Sequence, residues 1–394
     1  MICIKNGLIN DAVNREPYVA DILVSDATSE GIGKILAIGP NLEVPEGVEV
    51  IDASGLEVYP GFVEAHCHTG LDGHGAGQVQ MDYNEKNDIV TPQLRAIDGI
   101  NPMDEGMRVA ALAGVTTVCT GPGSTNVLGG TFAAVKTWGD RIDNMIVKEA
   151  IGMKCAFGEN PKNYHSKFTT SRMTTAFYLR QALAQAREYM EKKEAAGDDA
   201  SRRPALDMKM EALIPVLKKE IPLKAHAHAA QDFFTALRIA REFDVNITLE
   251  HVTEGHLVVD ELVKENVPLA IGPTMTGGSK YELRNISWQT PKVLAEAGCQ
   301  VSIITDAQVI PQEFLPVCAG IAVEGGMDPF MALQAITINP AKHCLIEDRV
   351  GSLEEGKDAD IVIADGSPLT VPTKIHYVFI DGKVIKRPED AQLR

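Results

Sequence analysis

Between about residue 58 and residue 345, short apolar runs keep giving way to helical patterns, and few folds accommodate that alternation over so long a stretch. The runs include Val115-Thr-Thr-Val-Cys119, Leu223-Lys-Ala-His226, Ile247-Thr-Leu-Glu-His251 and Val301-Ser-Ile-Ile-Thr305. From Ala176 to Lys193, residues Leu179, Leu183, Ala186 and Met190 recur at helical spacing. Strand–helix alternation implies parallel strands joined by crossover helices, which predicts an α/β protein built as a (β/α)₈ TIM barrel of about 250 residues plus insertions. A doubly wound sheet is the alternative, but no glycine-rich dinucleotide fingerprint follows an early strand. Composition agrees: 45% of residues are apolar and only 5% aromatic, so the strands must be built from small and β-branched side chains.

The two ends read differently. Ile2 and Ile4 alternate with Cys3 and Lys5 before Asn6-Gly7, which predicts a turn. Ala20, Ile22 and Val24 repeat at period two, and Lys34–Gly39 is another strand. Near the other end, Asp360–Ala364 is a strand, and Asp381-Gly382 between Val378–Ile380 and Val384-Ile385 is a hairpin signal. These segments predict one small β-sandwich domain, residues 1–57 plus 350–394, beside a barrel domain spanning 58–349. Glu191 to Arg203 is charged and reads as a solvated helix end and loop.

The formal net charge of −17 disfavours nucleic acid, whose phosphates need a basic surface, and disfavours an anionic membrane equally. No apolar run approaches the roughly 20 residues of a membrane span. The seven cysteines are odd in number, widely spaced and without a CxxC pair, as expected of reduced core residues in a cytoplasmic protein. The N-terminus lacks the zones of a signal peptide. The expected partners are therefore a small-molecule substrate and other copies of the same chain.

The chemistry concentrates at strand ends. In Tyr59-Pro-Gly-Phe-Val-Glu-Ala-His66-Cys-His68 the two histidines stand two apart, so both face one side of a strand, and converging imidazoles suit a borderline metal such as zinc. Leu223-Lys-Ala-His226-Ala-His228 repeats the arrangement, Leu249-Glu-His251 ends a third run, and Ile303-Ile-Thr-Asp306 places a carboxylate after a fourth. A single strand-end histidine is usually a hydrogen-bonded structural residue. Four such strand ends in one alternating domain point instead to a metal site, because TIM barrels collect catalytic groups from several strand ends on one face.

These motifs resemble the amidohydrolase superfamily, in the group called imidazolonepropionase-like or prolidase-like. The resemblance covers nearly the whole chain and includes Gly158-Glu-Asn-Pro-Lys162 and Ile336-Thr-Ile-Asn-Pro-Ala-Lys342 leading to Gly351–Asp360. It implies a metal-dependent hydrolase that cleaves an amide bond with a metal-activated water, the substrate being a dipeptide, an N-acyl amino acid or a cyclic amide. It further implies two divalent ions, zinc in such a ligand set: His66 and His68 on the more buried ion, His226 and His251 on the second, and Asp306 as ligand and catalytic acid/base. Lys154 stands where related enzymes carry a carboxylated, bridging lysine, and Glu159 is the competing ligand. His228 either contacts substrate or orients a ligand. Arg172 is either a partner for a substrate carboxylate or a surface arginine. Two alternatives stay open: a mononuclear deaminase or cyclic-amide hydrolase in which His251 contacts substrate, and a non-catalytic barrel scaffold. The loop Gly121–Asn126 is read as an anion-binding nest or a tight surface turn, and the stretch Leu71 to Pro102 as a lid over the barrel mouth. The resembled group often carries a His-Pro pair after its last-strand aspartate; here the pair is Ala307-Gln308.

Overall fold

The computed structural model describes residues 1–27, 31–75, 77–164 and 169–392, so that His165 lies outside the described residues. The chain opens with β1 (Ile2–Ile9), β2 (Tyr18–Val24), β3 (Ile35–Gly39), β4 (Glu49–Asp52) and β5 (Glu57–Pro60). There follow β6 (Phe62–Cys67), β7 (Val115–Thr120), β8 (Leu128–Lys136), β9 (Ile146–Ala156), β10 (Leu223–Ala227), β11 (Ile247–His251), β12 (Leu269–Ile271) and β13 (Val301–Ile303). The chain ends with β14 (Ile361–Ala364), β15 (Ile375–Ile380) and β16 (Lys383–Lys386).

Strands from both ends share one sheet in the order β16-β15-β14-β5-β1-β2-β3, with β4 on β1. The join is antiparallel, from Ile361 opposite Pro60 to Ala364 opposite Glu57. Ile4, Ile9, Ile22, Val58, Ile361, Ile363 and Phe379 form the apolar cluster beneath it. Asn6-Gly7 does not turn the chain as expected. β1 runs straight through it with a bulge, because Asn6 adopts a φ of 59° and its N–H donates to Asp21 Oδ1 at 2.9 Å, so the pairing with β2 resumes beyond. Asp381-Gly382 does turn, with φ of 50° and 75°, the two left-handed residues a tight hairpin needs.

The other eight strands form a barrel in the order β13-β12-β11-β10-β9-β8-β7-β6. Most neighbours are parallel, but β8 runs antiparallel to both β7 and β9, which departs from the uniformly parallel expectation. The reason is the length of its connections. Residues 121–127 and 137–145 are shorter than the roughly one dozen residues a parallel crossover needs. Longer connections elsewhere hold helices, such as Arg172–Ala196 and Ala230–Phe243; the latter buries Phe233, Ala236, Leu237 and Ala240 at helical spacing.

β6 and β13 meet without a ladder of their own. At the inner end, Val63 N–H and Ile303 N–H donate to the carbonyls of Ile336 and Ala335, each at 2.8 Å. Higher up, the buried Glu64 carboxylate accepts from Thr305 N–H at 2.9 Å and Thr305 Oγ1 at 2.7 Å. At the mouth His68 N–H donates to Ala307 O at 2.6 Å. Among the described residues no helix is long and apolar enough to cross a membrane, and all seven cysteines are unpaired.

Candidate metal centre

His66 and His68 sit at the end of β6 and just beyond it, His226 and His228 likewise at β10, His251 closes β11, and Asp306 follows β13 by three residues. The five histidines are buried, His66 completely, and Asp306 is half-buried. The barrel brings them together across its interior. Asp306 Oδ1 lies 3.4 Å from His68 Nε2 and 3.9 Å from His66 Nε2, and Asp306 Oδ2 lies 3.9 Å from His251 Nδ1. The donor atoms form two groups that share a residue: His66, His251 and Asp306 in one, His226, His228 and His251 in the other, each within 4.8 Å. Lys154, in β9, reaches across to His66 Nε2 at 2.9 Å.

Backbone shape contributes. His251 has a φ of 74°, Val252 of 45° and Asp306 of 52°, all in the left-handed region, which β-branched valine rarely occupies. Strain of this kind persists where surrounding structure holds it, and it gathers at functional sites. Here it turns His251 and Asp306 away from simple strand alternation at two strand ends.

Three of the five imidazoles are oriented by a hydrogen-bond partner at Nδ1. His68 Nδ1 donates to Gly121 O at 2.8 Å and His251 Nδ1 to Gly272 O at 2.8 Å, which leaves each Nε2 with a bare lone pair. His228 Nδ1 meets Thr253 Oγ1 at 2.7 Å. His66 Nδ1 lies 3.1 Å from Glu250 Oε2, in range but poorly aligned for a hydrogen bond. Glu250 is itself held by His343 Nε2 at 2.9 Å and Lys224 Nζ at 3.1 Å. His226 is different: both ring nitrogens are buried with no partner, and so is His251 Nε2. Unpartnered buried polar atoms cost free energy, and lone pairs converging beside a carboxylate are what a divalent ion satisfies. The residues therefore fit a metal.

Electrostatics agree. Burial pushes the pKa of His66, His226 and His228 well below the usual histidine value, aided at His66 by Lys154 and at His226 and His228 by His251, so these rings are neutral as ligands must be. Burial works to raise the Asp306 carboxyl, but His251, His68 and His66 outweigh it and hold the group ionised. Burial lowers Lys154 to about 8, against the opposing pull of Asp306 and Glu250.

Other expected residues fall elsewhere. Glu159 stands apart from both donor groups: its Oε1 accepts from Glu282 N–H at 3.1 Å. Arg172 pairs with buried Asp232, Nε to Oδ1 at 2.9 Å. The loop Gly121–Asn126 is largely buried rather than a surface turn, offers Gly121 O to His68, and ties Thr125 Oγ1 to Asn84 Oδ1 at 3.0 Å. The stretch after β6 does cover the mouth: Tyr83 stacks on His68 with centroids 4.9 Å apart, and Gln308 Nε2 donates to Tyr83 Oη. Glu64, Lys224, Glu250 and His343 were not singled out from sequence. For Lys224 a signal existed, since it stands two residues before His226 in the same strand.

A sequence model described as the Amidohydrolase family matches residues 58–385. The chain is 28% identical over 391 residues to the amidohydrolase tasK of Hapsidospora irregularis, which spans 93% of this chain but only 40% of that longer protein. The imidazolonepropionase of Symbiobacterium thermophilum is 26% identical over 413 residues, covering 93% of this chain and 90% of its own. Among solved structures, an amidohydrolase from Thermotoga maritima MSB8 superposes with a TM-score of 0.93 at 38% identity, covering 98% of this chain and 100% of the other.

Proposed function

The chain belongs to the amidohydrolase family, and from that membership we propose that it hydrolyses a carbon–nitrogen bond of a small amide with a water activated at two divalent ions, zinc or a zinc-like metal. The substrate would be a dipeptide, an N-acyl amino acid or a cyclic amide. One observation carries the reading: His226 is buried with both ring nitrogens unpartnered, beside His251 whose Nε2 is equally bare.

His66, His68 and Asp306 would hold the inner ion, and His226 and His251 the outer one. Lys154 would help to hold both ions as a carbamate, formed when its neutral amine adds CO₂ and releases a proton, so that an anion replaces a buried ammonium; its position 2.9 Å from His66 Nε2 supports this. Bound there, the ions would lower the pKa of a coordinated water and polarise the substrate carbonyl. The protein's own groups do the rest. Asp306 takes the proton of the attacking water on a carboxylate oxygen and passes it to the leaving nitrogen. Gly121 O, Gly272 O and Glu250 fix the faces of His68, His251 and His66. Tyr83 shields His68 from bulk water, and His228, with Nδ1 against Thr253, turns Nε2 toward the substrate side.

Two donor groups sharing His251 favour this reading over a single-ion deaminase. We also propose that residues 1–57 with 350–394 act as one supporting domain for a catalytic domain of 58–349, a division supported by the shared terminal sheet. The experiment is a hydrolysis panel of dipeptides, N-acyl amino acids and cyclic amides, run before and after chelation. Turnover of at least one amide that is lost on chelation and regained with zinc is expected. Chelator-resistant turnover, or none on any amide by zinc-loaded protein, contradicts the reading.

A further inference from the structure

Immediately after His228 the chain borders a charged cavity of about 470 Å³, with Ala229 in its wall. Glu282 lines the same cavity while its Oε1 lies 3.9 Å from His228 Nε2, so cavity and imidazole group share a wall. Three cations face the cavity, Lys162, Arg172 and Arg284, and Lys280 stands on the shared wall with Nζ 3.5 Å from His228 Nε2. Most of these charges are already answered. Arg172 pairs with Asp232 at 2.9 Å and Arg284 with Glu254 at 2.8 Å. Lys280 donates to Asn160 Oδ1 at 3.1 Å and to Glu282 Oε1 at 3.2 Å. Lys162 is the exception: among the described residues it makes no hydrogen bond or ion pair, although its charge acts on Asp232, and Glu159, whose Oε1 accepts from Glu282 N–H, lines the same cavity.

We propose that this cavity receives the leaving half of the substrate and that Lys162 binds its free carboxylate. A half-buried lysine without a counter-ion among the described residues, in a cavity adjoining the imidazole cluster, is complementary to an anion. The carboxylate of a leaving amino acid is the anion that amide hydrolysis places there. The proposal rests on the amide-hydrolase reading and narrows it. It selects N-acyl amino acids and dipeptides over neutral cyclic amides, because only the former carry a charge for Lys162 to take up.

The test measures binding, so that it can fail separately from turnover. Calorimetry on the full-length protein as purified compares N-acetyl-L-alanine with N-acetyl-L-alaninamide, which differ only in that carboxylate. A charge-assisted contact should favour the carboxylate by about tenfold or more. Lys162→Met should bring the two probes to parity, and Lys162→Arg should keep most of the preference. Because Lys162 has no hydrogen bond or ion pair among the described residues, both variants should melt at the native temperature. Equal affinity for the two probes in the native protein, binding of neither, or a preference that survives Lys162→Met overturns the proposal. Hydrolysis of the same two probes by zinc-loaded protein is read separately and bears on the amide-hydrolase reading alone.

Discussion

Four histidines of this centre hold Nδ1 against a carbonyl, a hydroxyl or a carboxylate, and His226 holds nothing on either nitrogen. That contrast separates residues prepared to bind from the one left most exposed to the cost of not binding. It also orders the expected effects of substitution. Lys154→Ala should remove at least one ion per chain and nearly all turnover, and short carboxylic acids that can fill the vacated bridge should restore part of both. Glu159→Gln should leave metal content unchanged, because its carboxylate meets the Glu282 backbone rather than the donor groups. Metal analysis of the two variants decides; metal retained without Lys154 and lost without the Glu159 carboxylate would reverse the assignment. The proposed ligands were legible in sequence because His66/His68 and His226/His228 stand two apart at strand ends and His251 and Asp306 follow apolar runs. Glu250 and His343 were not. Their roles depend on a path from His66 across the barrel to His343, 93 residues beyond Glu250, and no local pattern records that.

At the scale of elements, the reversed β8 and the covering loop account for most of what the sequence left unread. Short runs beside helical patterns identified the barrel, but nothing in Leu128–Lys136 itself announces direction; the short loops on either side impose it. The stretch after β6 was expected to cover the mouth, and Tyr83 within it stacks on His68, a proposed ligand. Gln308, in the pair that departs from the resembled group, joins that loop by its bond to Tyr83. Tyr83→Ala should therefore leave the melting temperature nearly unchanged while speeding metal loss to a chelator, by up to about tenfold if a stacking contact of about 0.5–1.5 kcal/mol is lost. Stopped-flow chelation measures it, and an unchanged rate would show that Tyr83 does not guard His68. Tyr83→Phe should behave almost as native, since stacking is kept.

Over the whole molecule, the barrel and the terminal sheet are locked by buried charge. Lys136, at the end of β8, lies 2.7 Å from Asp360, 3.1 Å from Asp358 and 3.1 Å from Asp381. Lys34 and Arg349 add to Asp358 at 2.6 and 2.7 Å. Burial alone would raise the Asp358 pKa, but Lys136, Lys34 and Arg349 hold it below the ordinary carboxylate value. A carboxylate lowered on folding contributes stability above its ordinary pKa and loses it as pH falls through the lowered one. Lys136→Met removes the cation from buried Asp360 and half-buried Asp381, leaves Asp358 with Lys34 and Arg349, and should cost about 3–5 kcal/mol near neutrality. The gap in melting temperature between native and variant should narrow as pH falls below about 4, through the range in which the lowered Asp358 carboxylate protonates. A gap constant with pH would mean that packing, not charge, makes the lock. Truncation after residue 350 removes β14–β16 and the aspartates together, exposes the β5 edge, and should yield insoluble protein. None of this lock was legible in sequence, because Lys136 meets Asp360 across 224 positions.

The number of metal ions per chain tests the central claim most directly. Elemental analysis of the purified full-length protein, after dialysis against zinc and removal of loosely held ions, should return close to two per chain. The His226→Ala variant should fall to one or fewer while keeping the native fold by circular dichroism. A native value near zero, with no uptake of added zinc, would contradict the account.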